Sequence, residues 1–225
     1  MVACYQADVF ATLEKLRVRL LGEAAPVVLL EGTRQLPDVE RPSLIALARR
    51  LATVLPATIF RTGNATGADT AFAEGVVAVD AKRLQYVLPN AGMGRQRRQT
   101  DSLAVALGAV PAGTEQVLAS ATTKASPASQ RLVDLYVREK GGSANAAKGA
   151  YLMRDTLKVL GCAELNLTPA TVGIFYVNES DPLGGGTGHT ICVCIEHGVP
   201  VVTQKHWRNW LLQSETNQKG AGHGS

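Results

Sequence analysis

Apolar positions recur along this chain in two alternating rhythms. Over residues 8–21, Val9, Leu13, Leu16 and Leu20 fall at helical spacing, with Glu14, Lys15, Arg17 and Arg19 opposite and Gly22 placed to cap. The run PVVLL at 26–30 is apolar on both faces, the signature of a buried, parallel-type first strand. Residues 42–55 return to helical spacing through Leu44, Leu47, Leu51 and Leu55, bounded by Pro42 and Pro56. A short strand at 58–60 runs into a small-residue turn at 61–67 and then a helix at 68–79, with Phe72 and Val76 inward. Residues 84–88 read as a third strand, and 101–107 as a helix.

The rhythm breaks at 111–149. That stretch reads as a connecting or lid segment with a short strand at 116–119 and a helix at 127–140. A longer helix at 146–160 carries Tyr151, Arg154 and Asp155 and ends at Gly161. A strand at 171–177 leads through a glycine loop to a helix at 190–197, a last strand at 199–203 and a short helix at 206–212 bearing Trp207 and Trp210. Strands alternating with helices predict one α/β domain over 1–213: a Rossmann-like, three-layer fold with a mainly parallel sheet and a helical elaboration. Residues 214–225, polar and glycine-rich, read as a flexible tail.

Composition narrows the function classes. At 225 residues and 46% hydrophobic, the chain can bury a sizeable core, yet no apolar run nears the roughly 20 residues of a membrane span. The N-terminus lacks a basic, apolar leader, and Cys4, Cys162, Cys192 and Cys194 form no CxxC pair. These features predict a cytoplasmic protein with free thiols and no membrane partner. Neither cysteine nor histidine spacing suits a metal, and no cofactor is expected. A net charge of +4 fits a phosphate-bearing small ligand and is too small to imply nucleic acid by itself.

Two glycine loops carry the candidate chemistry. In RTGNATGAD, Gly63 and Gly67 leave room for a ligand, Asn64 and Thr66 offer hydrogen bonds, and Arg61 is placed to pair with a phosphate. Asp69 suits a ribose hydroxyl or the positive end of the helix. The plainer reading is a tight strand-to-helix turn. In LGGGTGHT, Gly184, Gly185, Gly186 and Gly188 precede a helix, a cradle for phosphate to which Thr187 and Thr190 add hydroxyls. His189 reads as a loop-lining donor. At the end of the first strand, Gly32 allows a turn and sets Thr33 and Arg34 at the mouth of the sheet. Arg95, Arg97 and Arg98 form a cluster that is either a solvated helix start or a phosphate or nucleic-acid contact, without interleaved aromatics for stacking bases. Trp207 and Trp210 read as core or dimer-interface residues.

Taken as a set, GTR after the first strand, RTGNATGAD after the second, YLMRD at 151–155 and GGGTGHT before the last helix-strand unit resemble the SLOG superfamily. That Rossmann-like group includes the Lonely Guy phosphoribohydrolases, DNA-processing protein A and the YspA-like branch. The resemblance spans residues 27–204 and implies a nucleotide or nucleotide derivative across the carboxyl ends of the strands, in a homodimer or higher homo-oligomer. It places Gly32 and Arg34 in the first loop, and Gly63, Gly67 and Asp69 in a GGxxGxD-type loop with Asn64 where a second glycine often stands. It makes Arg154 a catalytic or phosphate-directed residue, with Asp69 a tentative catalytic partner, and puts Gly184, Gly185 and Thr187 in a GGxGT loop. The phosphoribohydrolases carry a glutamate two residues beyond that loop; here the place is Thr190. Cleavage of an N-glycosidic bond needs a carboxylate to stabilise charge on the sugar, and Asp69, Asp155 and Asp181 are the available substitutes. The expectation is a nucleotide-binding protein, acting as sensor, sequestering protein or weak enzyme. Two alternatives are a nucleoside-monophosphate phosphoribohydrolase and a single-stranded DNA-binding protein of the DNA-processing type.

Overall fold

The computed structural model describes the backbone of residues 10–220 and the side chains of residues 10–212. Six strands form one all-parallel sheet: β1 (Val27–Gly32), β2 (Ile59–Thr62), β3 (Leu84–Leu88), β4 (Leu103–Ala106), β5 (Val172–Tyr176) and β6 (Val201–Thr203). Their spatial order is β4-β3-β2-β1-β5-β6. The eight α-helices of the described residues are α1 (Leu13–Leu21), α2 (Arg41–Val54), α3 (Ala68–Val77), α4 (Ala112–Ala125), α5 (Gln130–Glu139), α6 (Ala144–Leu160), α7 (Gly185–Glu196) and α8 (Gln204–Gly220). The result is the three-layer, Rossmann-like α/β arrangement expected from the alternation of strands and helices.

The sheet is covered on both faces. On one, Val28 and Leu30 of β1, Phe60 of β2 and Tyr86 of β3 pack with α1, α2, α3 and the buried Trp207 and Trp210 of α8. Both indole N–H groups are satisfied, Trp207 on the Phe175 carbonyl at 2.9 Å and Trp210 on the Phe10 carbonyl at 3.0 Å. These rings are therefore interior to the chain and unavailable to a dimer interface. On the other face, Leu29 and Phe175 pack with α7, and Val87 with α4, α5 and α6.

Two element assignments are corrected. Residues 103–106 form a strand, β4, where the pattern suggested a helix. A short apolar run fits either element, and the free edge of β3 decides it by pairing Gln85 with Leu103 through Leu88 with Ala106. Residues 116–119 lie inside helix α4, not a strand; its buried positions Glu115, Leu118 and Thr122 recur at helical spacing. Helix α8 also runs on to Gly220, beyond the end expected at residue 212, while residues 8–9, Cys4 and 221–225 lie outside the described residues. Within 111–149, α4 and α5 pack against α6.

Candidate functional site

In this strand order the chain winds one way from β1 to β4 and resumes on the other side of β1 with β5. Open parallel sheets bind ligands outside the carboxyl ends of their strands near such a reversal. A cleft of about 530 Å³ lies there, at the carboxyl ends of β1 and β2 and under the first turns of α3 and α7.

Its floor is built by an unusual strip of the sheet. On the face under α6, three adjacent strands each turn a polar residue inward: Glu31 from β1, Arg61 from β2 and Gln85 from β3. Helix α6 answers with Arg154, Asp155 and Lys158, all buried. The Lys158 ammonium lies 2.6 Å from Glu31 Oε2 and 2.7 Å from Asp155 Oδ1. Arg154 Nε stands 3.1 Å from Asp155 Oδ1, and Arg154 Nη1 donates to the Gly63 carbonyl at 2.9 Å. Asp69, in the first turn of α3, accepts from the Gly32 N–H at 3.2 Å and the Ala65 N–H at 3.1 Å. It thereby ties the first two strand-end loops together.

Three carboxylates thus meet two cations at the floor. Desolvation divides them. Burial pushes the Glu31 carboxyl up to about 7, overcoming the pull of Lys158, with Asp69 and Asp155 adding to the rise. Asp69 is raised for the same first reason, against Lys158 and Arg154. Asp155 is also buried, but Arg154 and Lys158 together outweigh that cost and hold it below the usual range. One Glu31 oxygen is saturated: Oε2 also meets the Thr190 hydroxyl at 3.1 Å, and that hydroxyl lies 3.1 Å from the Gly186 carbonyl. The other, Oε1, is buried with no hydrogen-bond partner among the described residues.

Above the floor, α7 begins at Gly185 with Gly184 as its N-cap, so the glycine run is mostly the helix's own first turns. The first N–H groups of a helix have no partner within it. Gly185, Gly186 and Thr187 line the cleft. A Cβ on Gly185 would meet open space, and one on Gly186 would stand 3.2 Å from Asp155 Oδ2. Arg34, Arg97 and Lys148 supply an exposed cationic rim, while Tyr151, Leu132 and Met93 form an apolar wall. The Arg154 guanidinium lies 5.6 Å from the Tyr151 ring centroid.

Of the sequence-derived loop residues, Gly32, Arg34, Thr66, Asp69, Gly185, Gly186 and Thr187 line this cleft, together with Arg154. The others do different work. Arg61 is fully buried and does not reach a ligand; it donates to Gln85 Oε1 at 3.0 and 2.8 Å and to the Lys158 carbonyl at 2.8 Å. Gly63 makes room for Arg154 rather than for a ligand, since a Cβ there would fall 1.8 Å from Arg154 Nη1. Gly67, at φ +81°, lies against the carbonyls of Thr33 and Arg34. Asn64 adopts φ 57°, a left-handed conformation asparagine tolerates, and its side chain donates to the Gly94 carbonyl at 3.1 Å. Gly184 faces Asp181, and Gly188 lies against the Leu183 carbonyl. Thr33 lines a separate polar cleft of about 350 Å³ beside Tyr176. His189 lies behind the first turn of α7 with Nε2 3.4 Å from the Thr156 hydroxyl, and burial lowers its pKa. Thr190 serves Glu31.

The arginine cluster at 95–98 is partly spent on loop structure. Arg97 Nη2 donates to the Asn64 carbonyl at 3.2 Å and Arg98 Nη2 to the Ala91 carbonyl at 2.8 Å. Glu31 and Lys158 were missed by sequence reading. The available signals were a lone acid ending an apolar strand and a lysine one turn beyond Arg154.

Among the described residues no group of acidic, histidine or cysteine side chains could hold a metal ion, and no helix is long and apolar enough to cross a membrane. No protein-family model and no curated protein matches the chain. It is similar to the solved structure of DNA processing protein A from Helicobacter pylori, described for its single-stranded DNA binding mode. The TM-score is 0.45 at 16% identity, over 82% of this chain and 67% of that one.

Proposed function

We propose that this protein binds a nucleotide or a nucleoside-phosphate-derived molecule, with the phosphate on the first turn of α7. The observation that carries the reading is the opening of that turn, through Gly185, Gly186 and Thr187, onto a cleft rimmed by Arg34, Arg97 and Lys148. Unpartnered N–H groups and the helix dipole favour an anion there. The ribose then lies toward Asp69 and Arg154, and a base toward Tyr151 and Leu132. The motif resemblance to the SLOG superfamily supports the same placement. The open cleft suits a sensor or a sequestering protein.

A second reading, hydrolysis of the N-glycosidic bond, is favoured by Glu31. The carboxylate absent at Thr190 is supplied from β1, because the Thr190 hydroxyl hydrogen-bonds Glu31. Glu31 and Asp155 have their pKa values pushed apart by their surroundings, the arrangement that separates an acid from a base.

A thermal-shift screen of nucleoside mono-, di- and triphosphates tests the binding reading. At least one raises the melting temperature of the wild type, and Gly186→Val, which fills the mouth of the turn, abolishes the rise. A screen without any shift, or a shift kept in the variant, overturns it. Release of free base from a nucleoside monophosphate, lost in Glu31→Gln, decides for hydrolysis.

A further inference from the structure

The cleft contradicts itself electrostatically. Its rim is cationic and its helix terminus favours anions, yet its floor is a cluster of acids. Asp155 Oδ2 lies against the first turn of α7, 3.2 Å from where a Gly186 Cβ would stand. Glu31 is linked to the same turn by one hydroxyl, that of Thr190, at 3.1 Å from Glu31 Oε2 and 3.1 Å from the Gly186 carbonyl. An anion bound at this turn therefore sits close to two carboxylates.

We infer that Glu31 is a ligand-contacting carboxyl of this cleft, and that an anionic ligand settling on the first turn of α7 binds together with one proton taken up by Glu31. The inference rests on the ligand reading above. Glu31 is 3% exposed and belongs to the cleft lining, with Oε1 free of any partner among the described residues. The protein spends Lys158 and Thr190 on Oε2 alone, which leaves Oε1 to the ligand. An ionised Oε1 repels an anion; a protonated one donates a hydrogen bond to it.

The surroundings leave Glu31 as the acid that takes the proton. From α6 it faces Lys158, Asp155 and Arg154, and from α3 it faces Asp69; Arg61 on β2 and Cys194 on α7 are near enough to feel its charge. Asp155 is held ionised by Arg154 and Lys158. Asp69 is also raised by burial, but each of its oxygens already accepts a backbone N–H, from Gly32 and from Ala65, so neither is left for a ligand as Glu31 Oε1 is. Glu31 has its pKa at about 7 in the unliganded protein, so a nearby negative charge moves it across neutrality. The proton comes from solvent and goes to the Glu31 carboxylate; no bond of the ligand changes.

The test is calorimetric titration with adenosine 5′-monophosphate at pH 7.5 in two buffers of different ionisation enthalpy, HEPES and Tris. A phosphate monoester with its second pKa near 6 is almost fully ionised at that pH, so its own protonation adds little. For the wild type, the binding heat differs between the buffers by the uptake of a substantial fraction of a proton. Affinity then falls by up to about tenfold per pH unit from pH 7 to 9. In Glu31→Gln the buffer difference vanishes and affinity is flat with pH. Wild-type binding with equal heats in the two buffers overturns the inference and leaves the ligand reading standing. So does a Glu31→Gln variant that keeps the pH dependence. If the variant does not fold, the two-buffer comparison on the wild type decides. Absence of binding by the nucleoside mono-, di- and triphosphates alike overturns the ligand reading, and the inference falls with it.

Discussion

Replacing Lys158 with methionine isolates the energetics of the cleft floor. The side chain stays unbranched, one atom shorter, and loses its charge. The ammonium lies 2.6 Å from Glu31 Oε2 and 2.7 Å from Asp155 Oδ1, and all three side chains are nearly inaccessible to water. Removing one partner of a buried ion pair costs about 3–5 kcal/mol, because a desolvated charge is left behind. Here that cost divides by pH. Asp155 retains Arg154 at 3.1 Å, whereas Glu31 retains only the Thr190 hydroxyl. Glu31 is thus the orphan, and it can escape by taking a proton.

In the wild type its folded-state pKa is about 7 against 4.5 for the free group. The folded state then binds more protons than the unfolded chain between those values, so wild-type stability falls as pH rises through that window. In the variant, without Lys158, the Glu31 pKa lies higher still. Above pH 7 the folded variant holds a proton the wild type has released, and its relative stability falls by up to about 1.4 kcal/mol per pH unit. Below pH 7 Glu31 is largely protonated in both proteins, and only the Lys158–Asp155 contact is lost. Urea denaturation at pH 6.0 and 8.5 reads the difference. The expected loss is about 1–3 kcal/mol at pH 6.0 and about 3–5 kcal/mol at pH 8.5. Equal losses at both pH values, or a loss under about 1 kcal/mol at pH 8.5, refute the reasoning.

Four further substitutions, at three positions, probe the corrected roles. Arg61→Met removes the donors held by Gln85 and the Lys158 carbonyl; denaturation should record a loss of about 2–4 kcal/mol, while the nucleotide-induced thermal shift of the refolded variant is unchanged. A lost shift with intact stability would restore Arg61 as a ligand residue. Gly63→Ala forces its Cβ onto the Arg154 guanidinium and should cost about 1–3 kcal/mol; a neutral result in the same denaturation assay shows that Arg154 does not occupy that space. Asn64→Gly keeps the left-handed turn but loses the bond to Gly94, so the expected loss is only about 1 kcal/mol, whereas Asn64→Val should lose more because valine resists that conformation.

The architecture was legible because its signals are periodic and local. Five of the six strands announced themselves as short apolar runs, and the helix order between them specified a parallel sheet. The fourth strand was not legible, because residues 103–106 become a strand only through the edge that β3 offers them. At the site, both loops were found from glycine and threonine content, but the purpose of most glycines was not. Gly63 and Gly188 accommodate the protein's own Arg154 and Leu183, contacts made across long sequence separations or folded turns that no local pattern encodes. The charged floor was hidden for a related reason. Arg154, Asp155 and Lys158 look like the solvated face of a helix until the sheet beneath them is seen to present Glu31, Arg61 and Gln85 in place of apolar side chains. Each of those three directly follows an apolar residue in its strand, Leu30, Phe60 and Leu84, and a lone polar residue after an apolar run was the signal available.

The central claim is that the first turn of α7 holds the ligand's phosphate. A ¹H–¹⁵N NMR titration of the labelled protein with adenosine 5′-monophosphate reads it directly. The account predicts that the largest, saturable shifts fall on the backbone amides of Gly185, Gly186 and Thr187. Saturable shifts that leave those amides unmoved and gather instead on Arg95, Arg97 and Arg98 would contradict it.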